Sequence, residues 1–172
     1  MTKKLVFSIL VFSIFFVVHV KAGENRIPEA IKVPDGNNAY LTAHAKGDQI
    51  FYCVLKADVY SWKWYAPEAK LYDMQTQDLI GSHDAGPSWT YKDGSSITAK
   101  AVQKTDAPDK DSAQWLLLKV IKQQKAGLLA QSSFVQRINT QGGIAPTVGC
   151  DANHIGSEKR MSYSADYIFY KK

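Results

Sequence analysis

The chain has 172 residues, of which 45% are apolar, and 21 Lys and Arg against 16 Asp and Glu give a formal net charge of +5. A leader-like segment, residues 1–22, carries Lys3, Lys4 and Lys21 and no acid, so without it 18 basic residues face 16 acidic ones and the charge falls to +2. That near balance, with no basic cluster, leaves no electrostatic footprint for nucleic acid, and the remaining 150 residues suit one domain large enough to bury a core.

The first element is the leader itself. Lys3 and Lys4 precede an apolar run over residues 5–18, and Val20-Lys21-Ala22 supplies small residues at a cleavage position. This pattern predicts a secretory signal peptide cleaved after Ala22, with a secreted or periplasmic domain over residues 23–172. An uncleaved anchor is the competing reading, but ~20 apolar residues are needed to cross a bilayer and the run is shorter. No cysteine lies near the cleavage position for a lipid anchor, and no later segment is apolar and long enough to span.

From residue 39 onward the chain alternates with period two, broken by turn residues. Residues 39–45 and 49–55 flank Lys46-Gly47-Asp48 and read as a hairpin. Residues 61–65 follow, with Trp62 and Trp64 on one face, then short strands at 70–73 and 79–83. Residues 89–91 and 96–102 flank Lys92-Asp93-Gly94-Ser95, the clearest hairpin signal in the chain. A charged loop precedes the run at 114–121, whose nearly continuous apolar character predicts a buried strand. Strands at 128–138 and 161–170 enclose a Gly- and Pro-rich loop over 139–155. The whole predicts an all-β domain, an antiparallel sandwich or barrel-like sheet, with at most a helical turn near 67–69 or 108–113.

Two cysteines, Cys53 and Cys150, in a chain bound for an oxidising compartment read as one structural disulfide. Two free buried thiols or a redox pair are the alternatives, and the absence of a C-x-x-C spacing makes the redox pair the weakest.

The stretch from Ile80 to Ser96 concentrates the residues able to carry chemistry. His83 could hold a metal with His44, His154, Asp84 or Asp166, but no H-x-H or H-E-x-x-H spacing supports it, and neither a metal nor a cofactor is expected. Ser88 or Ser95 could pair with His83 and Asp84 or Asp166, yet there is no G-x-S-x-G elbow. Glu68, Asp84, Asp93 and Asp166 are the acids in defined contexts for a carboxylate pair. Arg137 and Asp166 each stand in an apolar strand, which predicts a structural ion pair between them. Among the aromatic residues, Trp62 or Trp64, together with Trp115, is expected to fill the core. Trp89, beside the rigid Gly86-Pro87 break, is expected to be exposed and, with His83, to contact a ligand.

The ordered set QIFYC (49–53), APEAKLYD (66–73), GSHDAGPSW and KDGS (81–95), QWLLLKV (114–120), QRINTQGGIAP running on to Cys150 (136–150) and YSADYIFY (163–170) resembles a secreted microbial family known as domain of unknown function thirty-four fifty-five. The resemblance spans essentially all of residues 23–172. It implies an extracytoplasmic single domain and strengthens the Cys53–Cys150 pairing, because both cysteines sit within shared motifs; it implies no catalytic residue. No G-x-G-x-x-G follows a strand, and there is no βαβ alternation to support a dinucleotide-binding domain.

These readings converge on a disulfide-bridged β domain that binds a small molecule, glycan or envelope component without catalysis. The alternative is an extracytoplasmic hydrolase or metal-dependent enzyme using His83 and nearby carboxylates, and a structural interaction module is the third class. A pocket on which His83, Asp84 and Trp89 converge with Gly142-Gly143 would separate the first two from the third.

Overall fold

The computed structural model describes residues 27–172, so the expected signal peptide lies outside the described residues. Eight antiparallel strands follow in chain order: β1 (Asn38–Lys56), β2 (Val59–Asp73), β3 (Leu79–Asp84), β4 (Ser88–Tyr91), β5 (Ser96–Thr105), β6 (Trp115–Gln124), β7 (Phe134–Gly142) and β8 (Glu158–Lys171). Each pairs with the next, and β8 pairs with β1, which closes the sheet into a barrel. The all-β, barrel-like expectation is met, and closure leaves no sandwich.

Three local expectations give way. Lys46-Gly47-Asp48 is not a turn but the middle of one 19-residue strand, and the turn falls at Ala57 and Asp58, both at positive φ. Gly47 serves closeness instead: a Cβ there would collide with the Glu68 carbonyl of β2. The two short helical turns lie at Glu29–Ile31 and Leu128–Gln131, not near 67–69 or 108–113. Gly127, at φ 148°, breaks the chain after β6, so the strand expected from residue 128 starts at Phe134. It then runs on to Gly142 through a bulge after Ile138.

Strand alternation divides the side chains cleanly. Ala43, Ala45, Ala69, Ala99 and Ala165 face inward and make room for Trp89, Tyr163, Tyr167 and Phe169 in the same core. The alternate set of β6 and β7, Trp115, Leu117 and Ile138, faces outward under Ile31 and Ala107. The N-terminal segment is held there by the Gln136 amide, which donates to the Ile31 carbonyl at 2.7 Å. Trp115 therefore packs, as expected, but in this outer cluster.

The barrel has two unlike ends. At one, the Leu128–Gln131 turn inserts Leu129, 1% exposed, as a plug. Asp93 accepts from the Leu128 N–H at 2.7 Å, and the Ser95 hydroxyl accepts from the Leu129 N–H at 3.0 Å. At the other end the β3–β4 hairpin is short. β2 meets β3 only from Ala69 to Tyr72, and β5 meets β4 only from Ser96 to Thr98. The long strands β2 and β5 run past that hairpin and leave a notch in the wall above Gly86 and Pro87. Pro67 is tolerated inside β2 because this part of the strand has no β3 partner.

Candidate functional site

A cavity of about 430 Å³ occupies this end of the barrel. Trp64 and Pro67 of β2, Gly86 and Pro87 of the β3–β4 tip, and Lys100 and Ala101 of β5 frame its mouth. Its inner wall is largely apolar, with Ala99, Leu116 and Leu118, and its polar side chains are Gln49, His83, Arg137, Trp89 and Tyr167. The dimensions suit an eight-stranded barrel, whose interior can hold one small ligand.

His83 and Trp89 meet there because they are direct partners across the β3–β4 pair, on the inner face. Their rings stack at 4.4 Å with 9° between planes, and the edge of Tyr167 from β8 approaches both, at 4.9 and 5.3 Å. The Gly86-Pro87 tip reaches the surface as expected, but Trp89 does not: alternation sends it inward, and it is 0% exposed. Its indole N–H has no hydrogen-bond partner among the described residues.

His83 donates from Nδ1 to the Ser88 carbonyl at 2.8 Å, which leaves Nε2 as the lone-pair nitrogen. Burial, opposed by that hydrogen bond and assisted by the charge of Arg137, lowers its pKa to about 3, so the ring is neutral. Asp84 turns away and accepts from the Ser82 hydroxyl at 2.6 Å. Of the residues expected to converge, His83, Trp89 and Gly143 line the cavity; Asp84 and Gly142 do not.

The Arg137–Asp166 ion pair is not formed. Arg137 pairs with Tyr167 across β7 and β8 and shares its inner face, whereas Asp166, one residue earlier, faces outward. There Asp166 accepts from Asn139 at 2.8 Å and meets His44 Nδ1 at 2.7 Å. Arg137 instead donates through Nε and Nη2 to the Gln114 carbonyl, at 3.0 and 2.7 Å, and its guanidinium lies 5.9 Å from the Tyr163 ring centre. Burial works against its charge, but the phenols of Tyr163 and Tyr167 outweigh it and hold the pKa above the usual arginine value. Those phenols share a 2.8 Å hydrogen bond, and burial raises the pKa of each. Gln49, 2% exposed, accepts from the Trp64 indole through Oε1 at 2.5 Å, while its Nε2 has no partner among the described residues.

Cys53 and Cys150 form a disulfide. It ties the 143–157 connection to β1, reinforced by backbone bonds between Cys53 and both Gly156 and Ser157. Among the described residues, no group of three or more His, Cys, Asp and Glu side chains is placed to hold a metal ion, and no helix is long and apolar enough to cross a membrane.

The family model described as Protein of unknown function (DUF3455) matches residues 34–171, which contain all eight strands of the barrel. The chain belongs to this family. No curated protein and no solved structure matches it. In this DUF3455 barrel the motifs noted in the sequence fall around the cavity: the QIFYC segment brings Gln49, GSHDAGPSW brings His83 and Trp89, and QRINTQGG brings Arg137 and Gly143. Sequence reasoning missed Gln49 and misassigned Arg137. For Gln49 a signal existed, since it continues the inward alternation of Ala43, Ala45 and Gly47 along β1.

Proposed function

We propose that this domain is an extracytoplasmic binding protein that takes one small, largely apolar molecule through the notch and holds it against the His83–Trp89 stack. The observation that carries this reading is the cavity of about 430 Å³ inside a barrel plugged by Leu129 at the opposite end. Binding is favoured over hydrolysis by the neighbours of His83. Its ring is neutral and stacked, its Nδ1 is committed to a backbone carbonyl, and the acids that could assist it, Asp84 and Asp166, are engaged elsewhere. The leader-like residues 1–22 and the Cys53–Cys150 disulfide support export and a working place outside the cytoplasm.

The test is titration with N-phenyl-1-naphthylamine, a neutral apolar fluorophore, of the wild type and of Ala101→Trp and Leu116→Trp, which put bulk at the mouth and the inner wall. Saturable binding near one probe per chain, weakened in both variants, supports the reading. Absence of saturable binding, or binding that both folded variants leave untouched, refutes it.

A further inference from the structure

Three of the cavity's polar side chains, Gln49, Trp89 and Arg137, present N–H donors. The amide Nε2 of Gln49 and the indole N–H of Trp89 are both buried without a hydrogen-bond partner among the described residues, and both side chains line the cavity. Gln49 cannot turn its amide over, because its oxygen is held by the Trp64 indole. Arg137 lines the same wall with a full positive charge. The Gln114 carbonyl occupies Nε and part of Nη2, and no carboxylate lies within salt-bridge distance of it among the described residues. The phenols of Tyr163 and Tyr167 also act on the guanidinium as hydrogen-bond partners, and its planar donor set is of the kind that suits a flat pair of oxygens. Lys100 adds a second cation at the mouth, and no Asp or Glu is among the lining residues.

A structural role explains only part of this. Latching the Gln114 carbonyl requires a donor, which a neutral side chain could supply, and it does nothing for the charge. A buried cation costs free energy unless it is paired, and two unmatched buried N–H groups add to that cost. The phenols of Tyr163 and Tyr167 hold the guanidinium protonated but carry no formal charge, since burial raises their pKa values, so no anion among the described residues balances it. What would complete the set is a ligand group that accepts several hydrogen bonds and brings one negative charge.

We propose, building on the binding-protein reading above, that the ligand is an amphipathic monoanion. Its carboxylate-like head is held by Arg137, the Gln49 amide and the Trp89 indole, and its apolar body lies along Ala99, Leu116 and Leu118. One guanidinium with two neutral donors compensates one charge in a low-dielectric wall; a dianion such as a phosphate monoester would leave a charge unmatched at this depth. Charge-assisted hydrogen bonds from an arginine to a flat oxyanion are short and strong, so the head group sets orientation as well as affinity. Lys100 at the rim favours entry of anions over cations.

The experiment compares two probes that share one body: 1-anilinonaphthalene-8-sulfonate, a monoanion, and N-phenyl-1-naphthylamine, which is the same molecule without the sulfonate. Binding to the wild type is followed by probe fluorescence at fixed moderate salt. The proposal expects the anionic probe to bind at least about 10-fold tighter than the neutral one. It expects Arg137→Met to weaken the anionic probe by about 10- to 100-fold while leaving the neutral probe within about threefold, from the strength of hydrogen bonds to charged groups. Circular dichroism and thermal melting establish that the variant is folded. If Arg137→Met does not fold, Gln49→Leu decides, with a loss of about 10-fold expected for the anionic probe alone. Equal affinities for the two probes, or variants that weaken both alike, overturn the anion proposal and leave the binding cavity standing. Failure of both probes to bind overturns the binding reading and this proposal with it.

Discussion

Burial of His83 makes the barrel sensitive to acid in a way that one substitution can isolate. In the unfolded chain the imidazole titrates near 6.5, whereas in the barrel its pKa is lowered to about 3. Between these values the unfolded chain holds a proton that the folded chain does not, so stability decreases as pH falls. The penalty begins near pH 6.5, grows by about 1.4 kcal/mol per pH unit, and levels off near pH 3. From pH 7 to pH 5 the loss from this group amounts to about 2 kcal/mol. His83→Phe keeps a ring against Trp89 but cannot titrate. It forfeits the hydrogen bond to the Ser88 carbonyl, a cost that does not change with pH. Urea unfolding, followed by tryptophan fluorescence on both proteins at pH 7, 6 and 5, separates this term from the carboxylates, which titrate in both. The stability of the wild type relative to the variant should fall by about 2 kcal/mol over that range. Parallel pH profiles would refute the buried, neutral imidazole.

Three further perturbations test the frame around the cavity. Replacing Cys53 and Cys150 together by Ser should lower stability by up to about 4–5 kcal/mol, because the bridge closes a loop of sequence separation 97 in the unfolded chain; a denaturation midpoint equal to that of the wild type would contradict this. Asp166→Ala should cost about 1–3 kcal/mol through the lost bonds to Asn139 and His44, yet leave probe affinity unchanged, because the carboxylate is on the outer face; altered affinity would place it in the site after all. Gly143→Ala should lower the melting temperature and weaken probe binding together, since its φ is +74° and a Cβ would stand 2.6 Å from the Tyr163 ring and 2.9 Å from Gln49 Cγ. An unchanged melting curve would show that this rim can shift freely.

The strand content was legible because burial on one face imposes period-two alternation, and Lys92-Asp93-Gly94-Ser95 marks its turn by local chemistry alone. What failed were inferences that needed tertiary context. Gly47 carries the same turn signal as Gly94, but it is there because β2 passes too close for a side chain. Trp89 follows an exposed Gly-Pro tip, and adjacency to a loop suggested exposure; its position directly across from His83 decides that it points inward. The Arg137–Asp166 pairing rested on two charges in apolar strands, and the β7–β8 register puts them on opposite faces. Of the candidate site, His83 and Trp89 were readable one by one. The cavity was not, because it arises from a hairpin shorter than its neighbours, a relation among four strands that no local pattern carries.

The most direct measurement is a crystal structure of the protein grown with N-phenyl-1-naphthylamine. The account predicts the probe inside the barrel, in contact with Leu116, Leu118 and the Trp89 side of the cavity, entering between Pro67 and Ala101. A probe seated instead on the surface of the β1–β2 hairpin, against the exposed Tyr65 and the Tyr52 ring it packs on, with the barrel interior unchanged, would contradict it.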